Sequence, residues 1–438
     1  MSNLTNKLMS FDETEISYCN SEKPDKYSEL FKLRKGPIIA KGAGLSYSNA
    51  AAINNGVCID MRNFNRLLSF DEENKFITVE SGVCIGDLNN FLVGKGWLLP
   101  VLPGYPMITV GGCIAFNVHG KSQYKFGNFL DWVEELNLYH PSIGEIKCSR
   151  LENEALFNLT IGGMGFTGII LSAKLKLKKI QGNRLKLQTV KVENITDAVN
   201  IMRQYAEQFD YIYSWNNFNC TGKSFGKGIV YLEKIEEGFE VVKQTKVYRN
   251  RLYTKKWPGL LNNFIINWMC RTYYFLERLK SPQRSLNLID DAFPIYGKEI
   301  YYHLYGKRGF REYQILFPLR TWQNAANQIQ KLIAQTKIGI GLGSLKIFKG
   351  GKHHISFAGE GICFTMDVVN NKKGLIFFQG LDKITKMNQG IIYLAKDSRA
   401  SSDFVQSIFP EYKEFKNRIL KFDPEKIFTS ELRSRLKI

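Results

Sequence analysis

Apolar and polar positions in the first third of the chain alternate over short stretches that glycine and asparagine interrupt. Residues 37–42 (PIIAKG) and 56–61 (GVCIDM) predict strands, and residues 67–82 predict a hairpin that turns at Glu72–Lys75. Apolar residues recur with helical spacing from 85 to 92, and glycines directly after them end that helix. The chain therefore begins as an α+β arrangement, without a repeated strand–helix–strand unit.

The same pattern continues to residue 178. Residues 136–149 predict another hairpin, a short helix follows at Glu152–Leu159, and a strand that alternates from Ser172 closes a first domain near residue 178. A second layer of sheet and helices follows. Its predicted elements are a strand at 186–192, a helix at 195–209, a helix at 318–335, a strand at 353–369 and helices at 401–409 and 411–420.

One stretch, Tyr253–Lys280, departs from this alternation. It is crowded with apolar and aromatic residues, and its basic residues are Lys255, Lys256, Arg271, Arg278 and Lys280. This composition suits a segment that lies in the interface of a bilayer, with apolar side chains in the lipid and basic ones at the headgroups. A pair of ordinary buried helices explains the pattern equally well, and both interpretations stay open.

Composition and charge narrow the function classes. The 438 residues exceed one ordinary core and predict two domains, which 44% hydrophobic residues suffice to fill. A net charge of +19 predicts attraction to anions such as acidic lipid headgroups or a phosphorylated substrate. Zinc-finger spacing and RNA-binding aromatic motifs are absent from the sequence, so we expect no nucleic-acid partner.

The eight cysteines are scattered without a Cys-x-x-Cys pair, which is typical of reduced, buried thiols in the cytosol. The N-terminal residues do not have the basic and apolar regions of a signal peptide. No apolar run reaches the roughly 18 residues of a membrane span. We therefore expect a cytoplasmic protein, peripheral on the inner face of the cell membrane.

Glycine clusters are the strongest local signal. Gly42-Ala43-Gly44 follows a predicted strand, and a second cluster contains Gly104, Gly111, Gly112 and Gly120. Bare backbone lets a planar or phosphorylated group approach closely, and successive amides can bind a pyrophosphate. A lone Gly-x-Gly is more often a turn, and the fingerprint of nicotinamide-binding folds is absent.

A few polar residues lie beside these clusters or at strand ends. His119 would by default be a structural histidine, but its position between glycine-rich runs favours a role in a site. Cys363 is by default a small buried hydrophobe, and Lys396 a solvated strand end. His353 and His354 have no further ligand at metal-binding spacing, so we expect no metal site.

With these motifs collected, the chain resembles the FAD-binding oxidoreductases of the vanillyl-alcohol-oxidase (PCMH) type. The matching runs include GAGLSYSN, PVLPGYPMITVGGCIAFNVHGK, TIGGMGFTGII, GFREYQILFP and AKDSR. Within that family it is most similar to the decaprenylphosphoryl-ribose 2′-oxidases. The resemblance implies an α+β fold of two domains: an FAD-binding domain formed by 1–178 and 391–438, and a substrate domain with an antiparallel sheet at 179–390.

The resemblance also implies FAD as cofactor and the residues that bind it. These are Lys41, Gly42, Ala43, Gly44, Leu45, Ser46, Tyr47, Pro103, Gly104, Thr109, Gly111, Gly112, Asn117, His119, Gly120, Gly168, Ile169 and Lys396. Many relatives join FAD covalently to a histidine in the first loop. Because Leu45 lies in that neighbourhood here, we expect non-covalent FAD.

The remaining site residues also come from the resemblance. The implied catalytic residues are Lys396, His119, Tyr47 and Lys349, and the implied substrate-binding residues are Lys121, Glu312, Gln314, Lys349, Gly361 and Cys363. Lys396 is expected to place positive charge near the flavin, and the proton acceptor stays open among Lys349, Tyr47 and Lys396. Glu312 replaces a usual glutamine and Gly361 a usual asparagine, which puts the identity of the sugar in doubt.

The implied reaction is oxidation of the 2′-hydroxyl of a polyprenyl-phosphoryl ribose to a keto sugar, the first half of an epimerisation towards lipid-linked arabinose. The implied partners are this lipid-linked sugar phosphate, an NAD(P)-dependent short-chain reductase that completes the epimerisation, and a membrane surface. Two alternatives remain open from the sequence: an oxidase or dehydrogenase of soluble alditols or sugar lactones, and a catalytically silent flavin-binding scaffold.

Overall fold

A computed structural model describes residues 5–32, 36–238, 248 and 258–438. Helices and strands are mixed and the larger sheets are mainly antiparallel, as expected for an α+β protein. The strands up to residue 179 are β1 (Thr5–Met9), β2 (Ile16–Glu22), β3 (Ile38–Lys41), β4 (Val57–Asp60), β5 (Leu67–Asp71), β6 (Phe76–Glu80), β7 (Trp97–Leu98), β8 (Val133–His140), β9 (Gly144–Ser149), β10 (Ile169–Lys176) and β11 (Lys178–Lys179).

Eight further strands follow in the described residues. They are β12 (Arg184–Val192), β13 (Tyr211–Asn217), β14 (Lys227–Ile235), β15 (Gln283–Asn287), β16 (Phe310–Phe317), β17 (Leu342–Phe348), β18 (Gly361–Val369) and β19 (Ile391–Ile392). They form one sheet in the order β15-β12-β14-β13-β17-β18-β16-β19, and every pairing in it is antiparallel.

Helices lie between and after the strands. They are α1 (Tyr27–Leu30), α2 (Ile85–Val93), α3 (Val110–Ala115), α4 (Gln123–Phe126), α5 (Glu154–Thr160), α6 (Ile195–Gln204), α7 (Asn263–Leu279), α8 (Leu288–Ala292), α9 (Ile300–His303), α10 (Trp322–Thr336), α11 (Lys372–Met387), α12 (Ser402–Ile408), α13 (Tyr412–Phe422) and α14 (Glu431–Leu436). Short 3₁₀ turns lie at Met61–Asn63, Phe129–Trp132, Gly222–Ser224, Gly306–Arg308 and Leu394–Lys396.

Two smaller sheets precede the large one. The first has the order β1-β2-β4-β3, with β4 parallel to both of its neighbours. The second, β5-β6-β10-β8-β9, is antiparallel throughout and contains both predicted hairpins. In β10 the side chains of Ala173 and Leu175 enter the core, while those of Lys174 and Lys176 point away, as the predicted alternation requires.

The large sheet has two chemically different faces. On β16, Tyr313 and Ile315 belong to the main apolar core, against which α10 and α11 pack. Glu312 and Gln314 alternate with them and therefore point to the opposite face. That face carries polar side chains, although it is largely covered. This covered polar face is the wall on which the candidate site is built.

Most predicted elements are confirmed to within a few residues, including both hairpins and the helices at α2, α6, α10, α12 and α13. The strand predicted at 353–369 was too long, because it begins at Gly361. His354 and Gly359 both have positive φ, so the chain turns before it enters the strand. The domain limits at 178 and 390 remain predictions.

The C-terminal segment returns to the first sheet. Ile38 N–H donates to Ile427 C=O at 2.8 Å, and Ile38 forms a parallel bridge with Phe428. Tyr47 N–H likewise donates to Ala395 C=O at 2.9 Å. The last part of the chain thus completes the structure around the first glycine-rich loop.

Helix α7 lies within the unusual stretch Tyr253–Lys280, of which 253–257 lie outside the described residues. The Asn262 side chain caps its N-terminus by accepting a hydrogen bond from Ile265 N–H. Ile266 and Cys270 are buried, whereas Phe264 is 80% exposed and Trp268 61% exposed. Among the described helices, none is long and apolar enough to cross a membrane.

Candidate active site

A cavity of about 500 Å³ separates the glycine-rich segments from the polar face of the large sheet. We call the first side the glycine wall, formed by residues 41–47 and 102–121, and the second side the sheet wall, formed by β13, β14 and β16–β18. Both walls contribute residues to the lining of the same cavity. The structure therefore brings together segments that are more than 200 residues apart.

The first half of the glycine wall follows β3. A Cβ atom added to Gly42 would overlap Thr109 Oγ1, and Gly44 has a φ of +69°, so side chains are excluded at both positions. Lys41 Nζ lies 3.8 Å from Asp60 Oδ2, which holds the lysine at the start of the loop. The result is a close-fitting edge made of backbone.

The second half is fixed by a helix cap. Thr109 Oγ1 accepts a hydrogen bond from Gly112 N–H at 3.2 Å, which starts α3 beside the cavity. A Cβ added to Gly120 would lie 2.5 Å from Leu102 O. The Ser81 hydroxyl is buried at the lining and has no hydrogen-bond partner within the described part of the chain. These bare backbones and this free hydroxyl fit a flat group that carries phosphates.

Tyr47 and Lys396 join the two walls. Lys396 Nζ lies 4.9 Å from the centre of the Tyr47 ring. The Phe11 ring stacks on the same tyrosine, with the two ring centres 4.7 Å apart. Burial raises the pKa of Tyr47 well above its usual value. Ser46 Oγ donates to Ala395 C=O at 2.9 Å and fixes the loop next to Lys396.

Lys396 also contacts the most acidic part of the sheet wall. Its Nζ lies 2.7 Å from Glu312 Oε1, and Glu312 is directly opposite Asp367 on the neighbouring strand. Burial, followed by the nearby Glu312 carboxylate, raises the pKa of Asp367 well above its usual value. Tyr301 donates to Asp367 Oδ2 at 2.9 Å.

His119 is a buried histidine in the lining of the cavity. Gln314 Nε2 lies 2.9 Å from His119 Nε2 and 3.4 Å from Cys363 Sγ, and it donates to both. Burial, and then the charges of Lys346 and Lys396, lower the pKa of His119 well below its usual value. Neutral His119 therefore carries its proton on Nδ1, which has no partner within the residues that the structure describes.

One predicted site residue, Lys349, does not line the cavity. Its Nζ lies 3.0 Å from Glu207 Oε1 on the surface, and the residue follows the end of β17 instead of lying within it. Lys346, three residues earlier, lines the cavity in its place. Burial lowers the pKa of Lys346 from its usual value.

Four other predicted residues do not line the cavity. Asn117 is buried and accepts a hydrogen bond from Leu130 N–H, which is a structural role. Ile169 packs in a core cluster, because alternation along β10 turns Ile170 to the cavity instead. A Cβ on Gly361 would overlap Phe317 O, so this glycine permits close strand pairing. Cys363 lies behind the lining, where its Sγ is 3.4 Å from Gln314 Nε2.

The other predicted residues lie at the cavity. They are Lys41–Tyr47, Pro103, Gly104, Thr109, Gly111, Gly112, His119, Gly120, Lys121, Gly168, Glu312, Gln314 and Lys396. Lys121 Nζ lies 2.7 Å from Asp291 Oδ2 and 3.5 Å from Glu233 Oε1. It is also 4.4 Å from the centre of the Tyr213 ring, where the character of the cavity changes.

The far end of the cavity is aromatic. It is lined by Tyr213, Trp215, Tyr231 and Tyr273, of which Tyr273 belongs to α7. Tyr231 and Tyr273 hydroxyls are 2.8 Å apart, and the Tyr213 and Tyr231 rings are stacked at 4.8 Å. The cavity thus joins a polar end at Glu312 to an aromatic end beside an exposed helix.

Sequence reasoning missed several residues that line the cavity on the sheet wall and on the helices beside it, namely Lys346, Ser344, Thr365, Asp367, Tyr213, Trp215, Tyr231, Tyr273 and Tyr302. A signal existed for two of them. Asp367 is a charged residue within the apolar run GICFTMDVV, and Lys346 lies between Leu345 and Ile347. A buried charged residue inside a strand is uncommon without a partner, so both residues could have been predicted to belong to a site.

Comparison with known proteins supports FAD as the cofactor of this chain. Residues 26–149 match a family described as "FAD binding domain". The chain is 25% identical over 425 residues to a decaprenylphosphoryl-beta-D-ribose oxidase of Mycolicibacterium smegmatis, which covers 92% of this chain and 89% of the relative. The glycine wall lies within the matched residues, and FAD is the cofactor that its bare backbone fits.

Two shorter matches broaden the range of related activities. A D-lactate dehydrogenase of Anaerostipes hadrus is 28% identical over 44% of this chain and 42% of its own length. An L-gulonolactone oxidase of Mus musculus is 33% identical over 31% of this chain and 30% of its own. The names of these relatives describe oxidation of hydroxyl-bearing carbons in different small molecules.

Proposed function

This chain is an FAD-dependent oxidoreductase of the PCMH type that acts on CH–OH groups, and from this premise we propose that it oxidises the 2′-hydroxyl of a polyprenyl-phosphoryl pentose. The product is a keto sugar, which an NAD(P)-dependent short-chain reductase then reduces to complete an epimerisation. The long match to a decaprenylphosphoryl-beta-D-ribose oxidase supports this substrate class.

The observation that carries the proposal is the two-ended cavity. Its polar end presents Glu312, Gln314, Lys346 and Lys396, which suit the hydroxyls of a sugar. Its aromatic end presents tyrosine and tryptophan rings, which suit an apolar chain or its phosphate-linked start. A soluble hydroxy acid or lactone would use the polar end and leave the aromatic end without a function.

Helix α7 supports access from a membrane surface. Tyr273 lines the cavity, whereas Phe264, Trp268, Phe275 and Leu279 on the same helix are exposed. Exposed Arg271 and Arg278 lie among them. An apolar stripe with basic residues binds anionic lipid surfaces. We therefore propose that α7 contacts the membrane and that the lipid tail of the substrate extends along it.

The chain's own groups have defined roles in this reaction. Backbone of the glycine wall binds the cofactor, and FAD when bound supplies the two-electron acceptor that takes hydrogen from carbon as a hydride. Lys396 provides fixed positive charge in the cavity, which stabilises negative charge that develops during oxidation. The Nδ1–H of neutral His119 offers a hydrogen-bond donor to a bound group.

Non-covalent attachment of FAD is part of the proposal. Leu45 has no nucleophilic atom, and it lines the cavity in the first glycine loop. Denaturation followed by ultrafiltration should release all flavin into the filtrate. Yellow colour that remains on the unfolded polypeptide would contradict this expectation.

The substrate is tested with the purified holoenzyme under anaerobic conditions, by the loss of oxidised flavin absorbance. The panel contains a polyprenyl-phosphoryl ribose, ribose 5-phosphate, an alditol, L-gulono-lactone and D-lactate. We expect fast bleaching with the lipid-linked sugar and a product two hydrogens lighter by mass spectrometry. Faster bleaching by a soluble alcohol would favour an oxidase of soluble substrates, and no bleaching by any compound would favour a silent flavin-binding protein.

Membrane contact is tested separately by sedimentation with vesicles that contain anionic phospholipid. Wild-type protein should bind at low salt and dissociate as salt screens the charges. The double change Trp268→Glu and Phe275→Glu should abolish binding, because it places negative charge on the exposed face. Leu151→Glu is the matched control, since Leu151 is 99% exposed elsewhere. Absence of wild-type binding at low salt would exclude the contact.

A further inference from the structure

Two carboxyl groups face each other across neighbouring strands of the sheet wall. Glu312 on β16 is paired in register with Asp367 on β18, and the two residues are 6% and 1% exposed. Both line the cavity, and among the described residues no other aspartate or glutamate belongs to its lining. Like charges directly opposite each other in a sheet are destabilising, so this buried pair requires a compensating charge or a shared proton.

The surrounding contacts distribute charge unequally over the pair. Glu312 Oε1 forms an ion pair with Lys396 Nζ at 2.7 Å. Asp367 accepts a hydrogen bond from Tyr301, and its Oδ1 is buried without a partner within the described residues. Burial together with Glu312 raises the pKa of Asp367 well above its usual value. Asp367 therefore holds the proton, and Glu312 carries the negative charge.

We propose that Glu312 and Asp367 form a carboxylate–carboxylic acid pair that is the proton acceptor for oxidation of the substrate hydroxyl. The inference rests on the CH–OH chemistry of the proposed function and does not depend on which sugar is bound. Lys396 positions the Glu312 carboxylate, and Asp367 supplies a neutral partner that shares the charge of the pair.

The step balances in atoms and electrons. The O–H bond of the alcohol breaks and its proton moves to a carboxylate oxygen of Glu312. The C–H bond breaks as well, and its hydrogen leaves with both electrons as a hydride, for which FAD held at the glycine wall would be the acceptor. The C=O bond forms from the electron pair of the broken O–H bond. The two carboxyl groups together then hold one more proton than before.

Three other polar groups of the cavity, Tyr47, His119 and Lys396, are poorer acceptors. Burial holds the Tyr47 phenol in its protonated form, because it raises the pKa well above the usual value. His119 Nε2 already accepts a hydrogen bond from Gln314, and burial lowers the pKa of this histidine. Lys396 Nζ is already paired with Glu312 Oε1 at 2.7 Å. Glu312 is thus an anionic proton acceptor that lines the cavity and is fixed in place by its ion pair.

The first test measures flavin reduction by substrate in rapid-reaction experiments. Glu312→Gln should retain FAD and slow reduction by about 100-fold or more, since it removes the anionic acceptor. Glu312→Asp keeps the charge and should recover part of the rate. Glu207→Gln, which alters an exposed ion pair with Lys349, is the control and should match wild type. Wild-type rates in folded, FAD-loaded Glu312→Gln would overturn the inference.

The second test needs no substrate. Infrared difference spectroscopy of wild-type against Asp367→Asn holoenzyme near neutral pH should show the C=O stretch of one protonated, buried carboxylic acid that the variant lacks. Because both proteins contain Glu233, its contribution cancels, and a difference spectrum without this band would overturn the shared-proton pair. If no sugar of the panel bleaches the flavin but the band behaves as expected, the substrate proposal fails while the pair stands.

Discussion

The two walls of the cavity use the protein chain in opposite ways. The glycine wall presents backbone and excludes side chains, as at Gly42 and Gly120, where an added Cβ would overlap a neighbour. The sheet wall presents the side chains of regular strands, whose backbone groups are already paired with each other. The first wall thus suits a cofactor common to many related enzymes, and we expect the second wall to determine which alcohol is oxidised.

This difference has a consequence for substitution. On the glycine wall a single methyl group requires the backbone to move, and the whole cofactor site moves with it. On the sheet wall a side chain can change while the strand stays in place. We therefore expect substitutions on the glycine wall to affect FAD content and stability, and those on the sheet wall to affect turnover alone.

The largest effect is expected for Gly120→Ala. The added Cβ would lie 2.5 Å from Leu102 O, so the loop must shift, at a cost of about 1–3 kcal/mol. FAD content, measured as the ratio of flavin to protein absorbance, should fall to a small fraction of wild type, and activity should fall with it. Gly351→Ala is the control, because its added Cβ meets no atom within 4 Å. Full FAD content in Gly120→Ala would break the comparison between the walls.

A smaller and more selective effect is expected for Lys346→Met. This change removes a buried positive charge from the sheet wall but keeps the length of the side chain, so FAD content should persist while flavin reduction slows by about 10- to 100-fold. Lys349→Met is the matched control, because that lysine contacts Glu207 at the surface. Equal activities of the two variants would show that the cavity lysine has no role in the reaction.

The smallest effect concerns the contact between the two walls at Lys121. Its partner Glu233 is buried on β14, and burial raises the pKa of Glu233 from 4.5 to about 8. Because the folded state holds this proton more tightly than the unfolded state, the unfolding free energy falls as pH rises from about 4.5 to about 8 and then levels off. Lys121 and Asp291 are the charged groups that face it.

Glu233→Gln mimics the protonated form and should remove this slope. Urea denaturation at about pH 5 and about pH 8 should therefore show that the unfolding free energy of the variant rises relative to that of wild type between the two pH values. Lys147→Gln, on an exposed ion pair with Glu135, serves as control and should leave the slope unchanged. Parallel pH dependence of Glu233→Gln and wild type would contradict a protonated Glu233.

The two walls also differ in how much of them the sequence predicts. The glycine wall consists of two contiguous stretches, so Gly42, Gly111 and Gly120 could be recognised from local pattern alone, and each lines the cavity. The α+β class and most helices and hairpins could be predicted for the same reason, since their signals repeat within a few residues.

The sheet wall could not be predicted in this way, because its residues meet only through strand register. Lys349 was predicted to line the site, but Lys346 lines it instead. Lys346 lies within β17 and points to the cavity, whereas Lys349 follows the end of that strand. Ile169 was predicted where Ile170 lies for the same reason of alternation. The pairing of Glu312 with Asp367 joins residues 55 positions apart, and no local pattern indicates it.

The hydrogen bond from Ser46 to Ala395 has a consequence for how the protein forms. It joins residues that are 349 positions apart. The backbone N–H of Tyr47 donates a second hydrogen bond to the same Ala395 carbonyl. A contact of such high sequence separation forms late in folding, since a long loop must close first. During synthesis the first glycine loop leaves the ribosome hundreds of residues before its partner does. The nascent chain therefore acquires its flavin site only after nearly all of it has been translated.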